Sequence, residues 1–141
     1  GIGGGLPIGL AVLGEKCQDA LTVGSHGSTF GGNPVCCAGA LNIFSRLTDT
    51  LLDEVNAKSA YIVETLSALP EVKKITGKGL MLGIACQKNG REIADAALQK
   101  GLLVLTAKDK VRLLPALNIP WPILQEGVDI LVRVIREVCA Q

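Results

Sequence analysis

Residues 24–34, GSHGSTFGGNP, combine hydroxyl side chains and glycines in one short segment. Ser25, Ser28 and Thr29 supply the hydroxyl groups, and the glycines leave backbone N–H groups accessible. Hydroxyl and backbone N–H donors together bind anions such as phosphate. A solvated, flexible loop has the same composition, so the residues alone leave both interpretations open.

Arg112 is the second candidate, because it interrupts the apolar segment VRLLP at residues 111–115. The rigid guanidinium fork binds a carboxylate through parallel hydrogen bonds. A charge within such a strand either points to solvent at a sheet edge or is buried with a dedicated partner. The pattern alone favours the solvent-facing position and keeps carboxylate binding as the alternative.

The opening segment, GIGGG at residues 1–5, is the third candidate. Glycine-rich loops hold phosphate when they lead into the N-terminus of a helix. Here the glycines lead into the apolar run LPIGLAVL, and they match neither GxGxxG nor GxxxxGK[ST]. The context therefore favours a tight turn before a strand over a nucleotide-binding loop.

The other reactive side chains favour structural interpretations. Cys36 and Cys37 are followed by small apolar residues, which indicates packing in a core, and His26 has no nucleophile or acid partner that the sequence can show. Lys78, between two glycines, is typical of a solvated turn. The five cysteines form no CxxC pair, so neither a disulfide framework nor a metal site is expected.

Secondary structure must position these candidates. The continuous apolar run at residues 6–13 predicts a buried strand. Asn33 and Pro34 predict the start of a helix, as cap and first helical residue. A second helical pattern runs from Leu52 to Leu69 and stops at Pro70.

After Pro70 the hydrophobic period becomes that of short strands. The sequence predicts a compact α+β unit from about residue 50, with helices on one face of a sheet. The last helix should bury Ile123, Val128, Leu131, Ile135 and Val138. The predicted elements are strands at residues 72–75, 80–86, 102–105 and 111–114, a turn at 77–79, and helices at 91–100 and about 122–138.

Composition excludes several classes of function. The 141 residues correspond to about one domain, and the net charge of +1 with 3% aromatic residues argues against a nucleic-acid or polybasic membrane surface. The apolar opening run is shorter than the roughly 20 residues that span a bilayer. Cysteines without a disulfide pattern indicate a reducing, cytoplasmic compartment.

Four segments, in their order along the chain, resemble the class III (fold-type I) pyridoxal-phosphate aminotransferases, and the acetylornithine type above all. The resemblance implies the α/β fold of that family, ending in a small α+β domain with a mainly antiparallel sheet. Residues 1–47 would be the last strand, cofactor-phosphate loop and long helix of the large domain, and residues 48–141 the C-terminal small domain. The matching segments are GIGGGLPIGLAVLG, GSHGSTFGGNPVCCAGALNI, ITGKGLMLGIAC and VRLLPALNIPW.

The resemblance also implies residue roles. In the family the lysine that binds pyridoxal phosphate stands directly before the motif that begins here at Gly1, so no catalytic residue is assigned in this chain. Thr29 resembles the threonine that reaches the cofactor phosphate of the other subunit of a homodimer. Ser28 resembles its neighbour at the substrate site, and Arg112 resembles the arginine that holds the substrate carboxylate.

The resemblance implies a cytoplasmic parent enzyme that transfers an amino group between N-acetylornithine and 2-oxoglutarate in arginine biosynthesis. The chain alone is expected to be inactive and not to bind pyridoxal phosphate. Two positions depart from the family pattern. Thr76 stands where relatives often carry arginine, and Cys36 and Cys37 replace small residues. The alternatives are another class III aminotransferase, of ornithine, succinylornithine or GABA type, or a non-catalytic, stand-alone α+β assembly domain.

Overall fold

The computed structural model describes residues 1–140, which separate into two compact units divided between Thr48 and Asp49. The first unit contains one helix, and the second contains a sheet and three helices. In chain order the elements are α1 (Pro34–Phe44), α2 (Asp49–Ser67), β1 (Val72–Lys78), β2 (Met81–Cys86), α3 (Gly90–Gln99), β3 (Leu105–Ala107), β4 (Lys110–Leu113) and α4 (Trp121–Cys139).

In the first unit, α1 begins where the sequence predicts. The Asn33 side chain accepts hydrogen bonds from the backbone N–H groups of Val35 at 3.0 Å and Cys36 at 3.2 Å. Pro34 has no N–H to satisfy, which suits the first helical position. The predicted cap and helix start are therefore confirmed, although the helix has only 11 residues.

The glycine-rich opening forms consecutive tight turns, as favoured from its sequence. The Gly4 N–H donates to the Gly1 carbonyl, and the Leu6 N–H donates to the Gly3 carbonyl, both at 3.1 Å. Gly4 and Gly5 have φ values of +59° and +103°, which side chains rarely tolerate. A Cβ on Gly39 of α1 would lie 3.2 Å from the Gly3 carbonyl oxygen, so the turn packs closely against the helix.

The prediction of a buried strand at residues 6–13 is wrong. These residues form no strand, and Leu10, Val12 and Leu13 are exposed. A strand is stabilised by hydrogen bonds to a neighbouring strand. Residues 1–48 contain no other strand, so the apolar run has no partner within its unit.

The second unit is built on a four-stranded sheet of order β1-β2-β4-β3, with every neighbouring pair antiparallel. The predicted turn at residues 77–79 lies one to two residues too early. Lys78 still pairs with Met81, and only Gly79 and Leu80 form the loop. Gly79 has a φ of +55°, which suits a two-residue hairpin.

Strand β3 also differs from the prediction of residues 102–105. The Leu102 N–H donates to the Ala97 carbonyl at 2.9 Å, and Gly101 has a φ of +82°, so this segment closes the end of α3. Pairing with β4 starts only at Leu105, which lies opposite Arg112. The helix C-cap thus takes the residues that hydrophobicity alone assigned to a strand.

The core of the second unit lies between one face of the sheet and the three helices. Leu82, Ile84, Cys86 and Val111 are the buried sheet positions. On α4 the prediction was wrong for Ile123, which is 55% exposed, and Val138 is only half-buried. The prediction is confirmed for Val128, Leu131 and Ile135, and α4 also buries Leu124 and Val134.

Candidate functional site

The Ser28 hydroxyl is held inside the glycine-rich loop. Its oxygen accepts a hydrogen bond from the Gly31 N–H at 3.0 Å, and Gly32 has a φ of +72°. A Cβ on Gly31 would lie 3.0 Å from the Ser28 Cβ. The loop conformation therefore requires a small residue beside Ser28, while the serine O–H remains available to donate.

Thr29, the next residue, is exposed. Within the described part of the chain its hydroxyl makes no hydrogen bond to another residue. The N–H groups of Val35 and Cys36 at the start of α1 are already bonded to Asn33. An anion at this loop would therefore meet the hydroxyls of Thr29 and Ser28 rather than those two amides.

Arg112 lies in β4, opposite Gly83 of β2 on one side and Leu105 of β3 on the other. Arg112 is half-buried. Its exposure is therefore intermediate between the solvent-facing and the buried arginine that the sequence left as alternatives. In residues 1–140 the ion pairs are Lys58–Glu54, Arg91–Asp95 and Lys100–Glu137. The Arg112 guanidinium thus has no carboxylate partner among the described residues.

A cavity of ≈ 390 Å³ lies next to Arg112 in the second unit. Its walls are almost entirely apolar, and Arg112 is the charged residue among them. The other lining positions include residues 102–105, Leu113, Ile119 and Ile123. The apolar wall lowers competition from water for groups bound at its edge.

Lys110 is a further cation on β4, not among the candidates that the sequence indicated. It lies two positions before Arg112 on β4, and its Nζ donates a hydrogen bond to the Thr76 hydroxyl at 3.2 Å. Alternate residues of a strand point to the same side of a sheet. That spacing from Arg112 was the signal in the sequence that could have identified it.

The remaining candidates do not form a reactive centre. The five cysteines are free, and burial raises the pKa of the Cys86 thiol to about 11, with contributions from neighbouring Cys139 and Glu71. Cys86 is therefore a protonated, unreactive thiol at neutral pH. His26 and Lys78 are exposed, and residues 1–140 contain no group of His, Cys, Asp or Glu that could hold a metal ion.

The structure brings Ser28 and Thr29 together in the first unit and places Arg112 in the second. The family model for aminotransferase class-III matches residues 1–135. The chain belongs to the class III aminotransferase family. As in other members of this family, the strands and helices combine into an α/β fold.

Named relatives support this class III aminotransferase assignment. The chain is 42% identical to the acetylornithine aminotransferase of Haemophilus ducreyi, over 97% of this chain and 35% of that protein. It is 38% identical to the acetylornithine aminotransferase of Methanocaldococcus jannaschii, again over 97% of this chain and 35% of the relative. The chain thus spans about a third of the length of these relatives.

Solved class III structures share the fold. The ornithine aminotransferase of Toxoplasma gondii superposes with a TM-score of 0.74 at 27% identity, covering 85% of this chain and 30% of that one. The N-acetylornithine aminotransferase of Stenotrophomonas maltophilia superposes with a TM-score of 0.67 at 29% identity, covering 78% and 33%. Within residues 1–140 no helix is long and apolar enough to cross a membrane.

Proposed function

We propose that this chain is the C-terminal part of an acetylornithine-type aminotransferase, which transfers an amino group between N-acetylornithine and 2-oxoglutarate in arginine biosynthesis. The observation that carries the proposal is Arg112, a half-buried guanidinium without a carboxylate partner in residues 1–140. The similarity to acetylornithine aminotransferases over nearly the whole chain supports this amino donor.

Arg112 is proposed to bind the substrate carboxylate. A guanidinium offers five N–H donors in a planar fork, which matches both oxygens of a carboxylate. Its place within β4 restrains its backbone, and Arg112 is among the residues that line the apolar cavity. This binding would orient the amino or keto group of the substrate for reaction.

The Thr29 hydroxyl suits the phosphate end of pyridoxal phosphate in the parent enzyme. Thr29 has an exposed hydroxyl without an internal partner among the described residues, so a donor is available for a phosphate. When bound, the cofactor supplies the electron sink for breaking the substrate Cα–H bond. We propose that Thr29 donates to the cofactor phosphate of the other subunit in a homodimer and that Ser28 faces the substrate.

The lysine that binds the cofactor in this family is proposed to stand before Gly1 in the parent enzyme, and the 141-residue chain alone is proposed to be inactive. Residues 1–47 would then belong to the large domain and residues 48–141 to the small domain. The free cysteines support a reducing, cytoplasmic location.

A chimera tests the amino donor. This chain replaces the corresponding third of the Haemophilus ducreyi enzyme, and turnover is measured with N-acetylornithine, ornithine, succinylornithine and GABA. We expect N-acetylornithine to give the highest kcat/KM. A folded chimera that binds the cofactor but prefers another donor would overturn the proposed substrate. Turnover by the isolated chain would overturn the proposed inactivity.

Arg112→Gln in the same chimera tests the carboxylate-binding residue. Loss of a charged partner typically costs about 2–5 kcal/mol, so kcat/KM should fall by at least about 30-fold. Arg91→Gln is the matched control, because Arg91 is an exposed residue paired with Asp95. Equal activity of the two variants would rule out the proposed role of Arg112.

A further inference from the structure

Two of the free cysteines lie at one end of the core of the second unit. Cys86 is the last residue of β2, lies opposite Val72 of β1 and is buried. Cys139 is the last residue of α4, is half-buried and packs against the core cluster that contains Cys86. Burial chiefly, and then charge on the nearby Cys139 thiol, raises the pKa of Cys86 to about 11. The fold therefore brings together two thiols that are far apart along the chain.

A buried carboxylate oxygen lies beside this pair. The Glu71 backbone carbonyl accepts a hydrogen bond from the Gln87 N–H at 2.9 Å, which places Glu71 next to the end of β2. Its Oε2 atom is buried and has no hydrogen-bond partner among the described residues. After burial and Cys139, the Glu71 carboxylate is the next cause of the raised pKa of Cys86. A thiolate is thus disfavoured at Cys86, whereas a disulfide, which carries no charge, is not.

The two thiols differ in their access to solvent. Cys86 is only 7% exposed, whereas Cys139 is half-buried and belongs to the last turn of α4. The terminal turns of helices open with free energies near zero, so a small reagent reaches Cys139 first. A disulfide holds its two Cα atoms about 4.4–6.8 Å apart, and a helix end that opens readily can adjust to this separation.

We propose that Cys86 and Cys139 form a redox modification site, at which a low-molecular-weight dialkyl disulfide oxidises the two thiols to a disulfide that joins β2 to α4. Cys139 reacts first, and Cys86 is the resolving thiol. Glu71 restrains the second step, because its charge opposes ionisation of Cys86. The inference goes beyond the proposed function and does not depend on it, since neither thiol belongs to the proposed carboxylate or phosphate site.

The reaction consists of two successive thiol–disulfide exchanges. The Cys139 thiolate attacks one sulfur of the reagent, so a mixed disulfide forms, the S–S bond of the reagent breaks and one thiolate leaves. Cys86 loses its proton to water, and its thiolate attacks the Cys139 sulfur, which forms the bond between the cysteines and releases the second thiolate. The two leaving thiolates take up the two protons, so the protein thiols are oxidised and the reagent is reduced. Because the second step is intramolecular, it proceeds despite the small thiolate fraction of Cys86.

The test treats the folded, reduced 141-residue chain with hydroxyethyl disulfide, followed by alkylation, tryptic digestion and mass spectrometry. Trypsin releases Cys86 in residues 79–88 and Cys139 in residues 137–141. We expect these two peptides to be joined in the main product, with the loss of two hydrogen atoms relative to the reduced pair. A mixed disulfide that persists at Cys139 while Cys86 stays reduced would overturn the proposal.

Cys139→Ser tests the order of the two steps. Without Cys139, the buried Cys86 should remain reduced during the time in which the unchanged chain forms the disulfide. Cys17→Ser is the matched control, because it removes an exposed thiol of the first unit and should leave the joined peptides unchanged. Equal modification of Cys86 in Cys139→Ser would contradict the order of reaction, and loss of the joined peptides in Cys17→Ser would contradict the pairing.

Glu71→Gln tests the restraint on Cys86 through the rate at which the mixed disulfide of Cys139 disappears. Removal of the carboxylate charge should make this step faster, because a larger fraction of Cys86 is then ionised. Glu92→Gln removes an exposed carboxylate of α3 and should leave the rate unchanged. Absence of acceleration in Glu71→Gln, or equal acceleration in both variants, would overturn the restraint assigned to Glu71.

Discussion

The ammonium nitrogen of Lys58 lies 5.8 Å from the centroid of the Trp121 ring, and the Lys58 side chain is completely buried. Lys58 belongs to α2 and Trp121 begins α4, so the contact joins the two helices. The Tyr61 ring packs edge-on against Trp121 at 5.9 Å. Glu54 Oε1 lies 2.7 Å from the Lys58 Nζ, yet the ammonium makes no well-directed hydrogen bond within the described residues.

Lys58→Met should leave the free energy of unfolding unchanged or raise it. Burying a charge costs several kcal/mol, and a cation–π contact returns only about 0.5–2 kcal/mol. Methionine fills a similar volume without that cost, and Glu54 is exposed enough to remain hydrated. Urea unfolding of the 141-residue chain measures the change. Lys58→Ala, which leaves a cavity, should instead lose about 2–5 kcal/mol. A loss above 2 kcal/mol in Lys58→Met would contradict this balance.

Asn33→Ala should destabilise the start of α1, because it removes the acceptor for the N–H groups of Val35 and Cys36. Such caps contribute about 1 kcal/mol. Amide hydrogen exchange should therefore become about fivefold faster in the first turn. Asn33→Asp retains the acceptor and should preserve protection. Asn42→Ala, which removes only an exposed bond to Arg46, is the surface control. Equal exchange in Asn33→Ala and the unchanged chain would disprove the cap's contribution.

Gly90→Ala should lower the free energy of unfolding by about 1–3 kcal/mol through overpacking. A Cβ at Gly90 would lie 2.3 Å from the Lys110 carbonyl carbon and 2.6 Å from its oxygen. Because these are backbone atoms, α3 must move away from β4, and the hydrogen bond from the Gly90 N–H to the Asp109 carbonyl is weakened. Thermal unfolding followed by circular dichroism measures the effect.

Gly127→Ala is the control, because this substitution is expected to raise the stability rather than lower it. Gly127 lies within α4, and a Cβ there would lie 3.4 Å from the end of the flexible Leu102 side chain. Alanine is favoured over glycine in a helix interior by roughly 0.8–1.0 kcal/mol. The same measurement should therefore show a small gain in stability. A similar loss of stability in Gly90→Ala and Gly127→Ala would show that the contact of Gly90 with the β4 backbone is not the cause of the loss.

Ionisation of the Cys86 thiol should lower the free energy of unfolding at alkaline pH. Burial raises its pKa to about 11 from 9.0, so the unfolded state loses the proton first. The protonated thiol favours the folded state below about pH 9, and this contribution is lost as the pH rises from 9 to 11. Urea unfolding at several pH values measures the decline. In Cys86→Ala the decline should be shallower, and identical pH profiles of the two chains would refute the prediction.

The local elements of the second unit followed from the sequence. Helices α2, α3 and α4 and the strands β1, β2 and β4 lie within a few residues of their predicted ranges. Their apolar periods, caps and glycine turns act between residues close along the chain. Such local signals do not depend on which helix or strand packs against the element in the folded chain.

Two predictions were wrong where pairing decides the conformation. The apolar run at residues 6–13 forms no strand, because residues 1–48 contain no strand to pair with it. Leu102 closes α3 through Ala97 instead of joining β3. In both places hydrophobicity indicated burial in a sheet, but hydrogen-bond partners determined the outcome.

The sequence by itself determined the family resemblance, the glycine turns, the helix start at Asn33, and Ser28, Thr29 and Arg112 as candidates. Only the tertiary structure decided that Lys110 crosses Gly83 to reach Thr76, and that Arg112 remains without a carboxylate partner in the described residues. The order β1-β2-β4 brings Thr76 and Lys110 together although 34 positions separate them along the chain. Contacts across strands depend on register and sheet order, which local residue patterns do not encode.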